Sequence, residues 1–292
     1  LSNIIYSSSL LFHFERIVFY NSNSIDTFHF EFSVFYGNLS ILQLFEDLMN
    51  QNDFENVIIY AIKKNYLGII NYFFDTLIIN NDFQITNQFA YDVLYNSVKR
   101  KNSSLFNLIV DKFKQINLDI FEEIDWNYEI LLTACRYQNV EASKTLIDYI
   151  IENFYLDSND YMWFTLTFMK AAVVGSKEIC NYIISKEIDF VYDEITKYLY
   201  KLVSIDLEII IKLMNTLSPT DKEDLLNKLI SPAIASKNKN LIRYLLQQTP
   251  PIGETLLWAA QTNDIDVFNL VLEYNNDPFY INKVYDNSGS VL

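Results

Sequence analysis

Glycine and proline number only five each among 292 residues. A β-sandwich or an α/β enzyme of this length spends more of both on its turns, so long helices joined by short polar turns fit better. The two cysteines, Cys135 and Cys180, are too few for a disulfide framework, which points to a reducing, cytoplasmic compartment. No apolar run reaches about eighteen residues, so no membrane span is expected. Only two histidines occur, His13 and His29, and neither has a cysteine or carboxylate at zinc-ligand spacing. The few glycines are too scattered to build a loop that cradles phosphate. No metal, cofactor or catalytic centre is expected. Positive charge is also short, with 22 Lys and Arg against 37 Asp and Glu and a net charge of −15. That field repels nucleic acid and makes it a poor partner. The first residue is Leu and not Met, as expected of an internal piece of a longer chain.

What the chain has in abundance is apolar surface. Half of its residues are hydrophobic and 16% are aromatic, which argues against disorder. The apolar residues are ordered into a recurring string. Residues 171–184 read AAVVGSKEICNYII, 61–74 read AIKKNYLGIINYFF, 233–246 read AIASKNKNLIRYLL, and 259–272 read AAQTNDIDVFNLVL. These align without a gap. A small residue opens each string, a polar turn follows, and two apolar pairs lie four residues apart. Ser33, Ala61, Ser97, Ala134, Ala171 and the alanines at 233 and 259 fill the small slot, with a weaker unit starting at Lys201. Successive slots are 28, 36, 37, 37, 30, 32 and 26 residues apart. A fixed period of this size is the mark of a repeat architecture.

The pattern predicts two helices per unit. A small residue before a turn lets the pair pack closely, and Gly37, Asn65, Gln138, Gly175, Lys237 and Asn263 sit in that turn. Apolar pairs such as Ile179–Cys180 and Ile183–Ile184 share one helical face. Cys135 and Cys180 fall on core positions and read as buried thiols, not nucleophiles. Trp258, next to Ala259, also reads as core. A single helix pair cannot bury its apolar side, so neighbours must stack.

The strings resemble the ankyrin repeat, whose consensus runs TPLHLAA, a Gly turn, and a second helix ending in Leu-Leu. ETLLWAAQTNDIDVFNLVL at 254–272 is the best match. The Thr-Pro opening is nowhere intact, the first-helix histidine is absent, and longer aromatic-rich linkers replace the hairpins between repeats. The large aromatics and trailing proline of a tetratricopeptide array are not found. The resemblance implies an all-α, helix-turn-helix solenoid of about eight degenerate repeats. Residues 33–282 form the array, 283–292 open a further truncated repeat, and 1–32 are a degenerate repeat or an N-terminal cap. It also implies a non-catalytic scaffold that binds a protein along its concave face. A permanent architectural subunit, or an adaptor for a catalytic part outside the chain, are the alternatives.

Two ladders are candidate binding positions. At the end of successive first helices stand Lys63–Lys64, Lys99–Arg100 and Arg136–Tyr137. Five cations of six in an acidic chain suit an acidic partner surface, and in ankyrin arrays these positions line the groove. They equally suit capping of a helix C-terminus. Eight residues before the slot stand Phe89, Trp126 and Trp163, either anchors at a binding face or staples at the start of each helix. The acidic linker around Glu122, Glu123 and Asp125 is expected to be solvated surface.

Overall fold

The computed structural model describes residues 39–40, 43, 50–78, 85–99, 103–115, 124–153, 155–249 and 254–274. The N-terminal segment 1–32, the truncated repeat at 283–292, the slot Ser33, the turn at Gly37, Arg100 and the pair Glu122–Glu123 lie outside them. All regular secondary structure among the described residues is helical, with no strand among them. The chain divides into two compact units, residues 1–133 and 134–292.

In the first unit α1 (Gln51–Lys64) is followed by α2 (Leu67–Tyr72), which runs on as a π-helical turn over Phe73–Ile78. Next come α3 (Asn87–Ser97) and α4 (Ser103–Gln115). Helix α5 (Ile124–Arg136) crosses the division. In the second unit α6 (Val140–Asn153), α7 (Ser158–Val173) and α8 (Lys177–Ser185) are regular. The weak unit noted in the sequence has a broken first helix, α9 (Tyr192–Thr196) and α10 (Leu199–Leu202), before α11 (Leu207–Thr216). Two further pairs follow: α12 (Pro219–Ala235) with α13 (Lys239–Gln248), and α14 (Glu254–Gln261) with α15 (Ile265–Tyr274).

Several helices begin where side-chain oxygens cap them. Asn50 and Asp157 each form a reciprocal capping box with the acid three residues on, Asp53 and Asp160. Thr86 accepts from the Phe89 amide, and Ser218 caps α12 with Pro219 in its first turn. First helices end in one recurring device. Asn65, Gln138, Gly175, Lys237 and Asn263 all have φ between 52° and 79°, the left-handed region. Each lies four residues after a small slot. At Ala61, Ala134, Ala171 and Ala233 the slot carbonyl accepts the amide five residues on, at 2.9–3.2 Å, and the next carbonyl accepts the amide of the left-handed residue. This paired closure satisfies carbonyls that a helix end leaves unpaired. All five slot alanines and Ser97 are fully buried. The turn therefore reverses the chain at the point where the absence of a large side chain allows it.

Within each unit the helices stack by equivalence. In the first, α1 packs on α3 and on α2, and α3 on α4. In the second, the first helices α7, α10, α12 and α14 pack in succession, while α8 lies against both α6 and α11, and α13 against α15. The cores differ in kind. In the first unit, rings meet edge to face, Phe73 with Phe74 at 5.5 Å and Phe74 with Phe113 at 5.4 Å. In the second, the core is mainly Leu, Ile and Val, such as Leu213, Leu225, Leu245 and Val271. Burying each such side chain contributes about 1.5–3 kcal/mol. Trp258, expected in the core, is half-buried.

Polar links tie residues one repeat apart. The Gln138 side chain donates to the Val174 carbonyl at 2.6 Å, and Asn238 to the Val203 carbonyl at 2.7 Å. On the second helices Asp148 accepts the Tyr182 hydroxyl at 2.7 Å and the Lys186 ammonium at 2.6 Å, while Lys144 reaches Glu178 at 2.7 Å. Lys239 pairs with Asp266 at 2.6 Å, and Lys112 with Asp75. The partners are 27 to 38 residues apart, close to the slot spacing seen in the sequence.

Candidate interaction face at the first-helix ends

The expected cations stand in the last turn of a first helix or just past it. Lys63 and Lys64 close α1 and are exposed. The Lys64 ammonium lies 5.5 Å from the Tyr60 ring centroid, one turn back. Lys99 follows α3. It is half-buried, sits 4.0 Å from the centroid of Tyr95, and donates to Asn96 Oδ1 at 3.4 Å. Tyr95 in turn stacks on Tyr91 with centroids 5.5 Å apart. Burial and a hydrogen bond to the Glu129 carboxylate raise the Tyr91 pKa well above the usual phenol value. Neither Lys64 nor Lys99 pairs with a carboxylate among the described residues. Arg100 lies outside them.

In the second unit Arg136 ends α5, exposed and without an ion pair among the described residues, and Tyr137 beside it is 40% exposed. The structure adds two cations that the repeat pattern did not single out. Lys170 lies in the last turn of α7, and Lys201 lies in α10, 5.0 Å from the Tyr198 ring centroid. Burial, with the nearby charges of Arg136 and Lys201, lowers the Lys170 pKa. Neither Lys170 nor Lys201 has an ion pair among the described residues. Elsewhere in this unit eight lysines are ion-paired, including Lys144, Lys177, Lys186, Lys212, Lys228 and Lys239. A sequence signal for Lys170 did exist: it precedes the slot by one residue, one helical turn from the position that Arg136 fills.

Of the aromatic ladder, Phe89 is not a presented anchor. Phe89 is 1% exposed and packs on Phe73 with centroids 5.9 Å apart, so it belongs to the core. The reason is periodicity: residues i and i+8 share the apolar stripe of a helix, and the slot eight residues on is buried. Trp163 is half-buried within α7. Trp126 is in α5, but its side chain, like that of Asp125, lies outside the described residues.

Cys135 and Cys180 are fully buried free thiols, and burial pushes both up to about 12. Cys135 faces the Ser143 hydroxyl at 3.6 Å. No group of three or more His, Cys, Asp or Glu that could hold a metal lies among the described residues. No helix among them is long and apolar enough to cross a membrane.

A scan against protein-family models finds no match, and searches of curated proteins and of solved structures find none either.

Proposed function

We propose that the chain is a divergent ankyrin-type solenoid of about eight degenerate repeats that acts as a non-catalytic scaffold, binding a protein partner along the concave face where its first helices end. The carrying observation is the recurrence of unneutralised cations there. Lys64, Lys99 and Arg136 close successive first helices without an ion pair among the described residues, in a chain of net charge −15. The turns support the repeat reading, since five small slots are followed at the same distance by a left-handed residue. Lys63 and Arg100 extend the same positions, and the favoured partner presents an acidic surface, whose complementary charge mainly speeds association. The reading goes with a reducing, cytoplasmic setting and two free thiols, and it needs no cofactor, nucleic acid or catalytic residue.

Helix capping also favours cations at these ends, at about 0.3–1 kcal/mol each. A lysate of the native cell passed over the immobilised chain and over a Lys64→Glu/Lys99→Glu/Arg136→Glu variant separates the two. The scaffold reading expects a protein retained by the parent and lost, or eluted at lower salt, from the variant. Identical retention by both, with only a lower melting temperature in the variant, leaves capping as the role of the cations and overturns the reading.

A further inference from the structure

The second unit concentrates two unusual features in one place. Arg136, Lys170 and Lys201 come from three successive first helices, and none has an ion pair among the described residues, although ion pairs are the rule for the described lysines elsewhere in that unit. Close to them in sequence are three of the few large apolar side chains that are exposed among the described residues. Tyr137 follows Arg136, Val173 lies one turn beyond Lys170 and is 46% exposed, and Tyr200 precedes Lys201 and is 78% exposed. The helix ends are held together by the hydrogen bond from Gln138 to the Val174 carbonyl and by the packing of α7 on α10. A stable monomer has no use for two further cations beside a half-buried lysine. Burial first, and then the charges of Arg136 and Lys201, disfavour the charged form of Lys170. Proteins retain such a cost at sites of function.

We infer that the ends of α5, α7 and α10 form a docking surface for a short acidic segment of a partner protein, its carboxylates meeting Arg136, Lys170 and Lys201 and its apolar side chains covering Tyr137, Val173 and Tyr200. The inference rests on the scaffold reading and narrows it to one place and one partner chemistry. Aromatic and Arg side chains are the residues on which protein interfaces concentrate their binding energy. Charge complementarity selects the occupant: the rest of the chain is strongly acidic and repels any anion that does not reach this patch. Bases can stack on tyrosines, so it is the net charge of −15 that favours a short peptide over a polyanionic nucleic acid.

Selection of a random dodecapeptide phage library on the full chain tests this. The expected peptides are enriched in Asp and Glu interleaved with apolar residues. They lose at least about tenfold in affinity on Lys170→Glu/Lys201→Glu, and several-fold on Tyr200→Ser. They keep their affinity on Arg243→Glu/Lys222→Glu, which changes the net charge equally at a distance from the patch. Circular dichroism and melting temperature of each variant verify the fold. Failure to enrich, enrichment of peptides without acid, or equal losses in both double variants overturns the inference. So does tighter binding of a single-stranded oligonucleotide or of anionic vesicles than of any selected peptide. If a native partner is lost from the Lys64/Lys99/Arg136 variant yet retained by Lys170→Glu/Lys201→Glu, the docking surface is wrong and the scaffold reading stands.

Discussion

Replacing Ala171 with Phe puts a ring into the tightest point of a helix pair. Ala171 is fully buried, and its carbonyl accepts the Ser176 amide at 2.9 Å, so the backbone there is committed to the turn. The Gly175 amide is fixed in the same closure by the Ala172 carbonyl at 3.0 Å. The ring can enter only by pushing α7 and α8 apart or by leaving its rotamer well. Overpacking of this kind costs about 1–3 kcal/mol. At about 2–4 °C per kcal/mol for a large domain, the melting temperature falls by about 2–12 °C. Ala235→Phe, at the exposed end of α12, is the control and stays within about 0.5 kcal/mol of the parent. Because stacked repeats stabilise their neighbours, hydrogen exchange in Ala171→Phe accelerates most in α7, α8 and the helices packed on them. Thermal unfolding followed by circular dichroism reads the first effect. Equal melting temperatures for Ala171→Phe and the parent refute the argument that the slot must be small.

Gly175→Ala meets nothing within 4 Å of the new Cβ, so it costs only the left-handed backbone, about 1–2 kcal/mol by denaturant titration; no loss contradicts the assigned turn. Lys170→Gln raises the melting temperature at neutral pH, because a lysine whose folded pKa is depressed opposes folding while it is charged; the gain shrinks as pH rises through the depressed folded pKa and is gone by about pH 10.4, and an unchanged or lower value at neutral pH contradicts the cluster. Asp206 beside Lys177, and Asp224 beside Lys228 and the Tyr192 hydroxyl, have depressed pKa values, so their stabilisation is full above about pH 4 and is lost as pH falls through the folded values. Melting temperatures across pH therefore drop less steeply in acid for Asp206→Asn/Asp224→Asn than for the parent, and parallel acid limbs count against these pairs. Cys135 and Cys180, buried and held up at about 12, react with a thiol reagent only as the chain unfolds, and rapid labelling under native conditions disproves their burial.

The parts of the fold that were legible in the sequence are those where local geometry allows few residue types. A fully buried slot at the close of a helix admits Ala or Ser, and a left-handed turn favours Asn, Gly and other tolerant types, so these positions recur at countable spacing. Lys237 and Gln138 occupy the same backbone state and were found through register, not through type. Partners one repeat away were not legible. That Asp148 takes both Tyr182 and Lys186 depends on how α6 and α8 lie side by side, which no local pattern encodes. Phe89 was ambiguous because an apolar residue eight positions before the slot suits either a staple or a presented anchor, and only packing against Phe73 distinguishes them. Lys201 was read as the slot of the weak unit, whose first helix is broken into the short pieces α9 and α10, and so stood outside a ladder counted from two residues after each slot. Lys170 precedes its slot and so stood outside the ladder that began two residues after it.

The central claim is that a protein partner engages the chain at the ends of its first helices. Hydrogen–deuterium exchange of the full chain, alone and saturated with the protein it captures, tests it most directly. The account predicts slowed exchange at residues 61–66, 95–99, 134–139, 170–176 and 198–204, with the outer turns of α8, α13 and α15 unchanged. Protection centred on those second helices, or spread evenly along the chain, would contradict it.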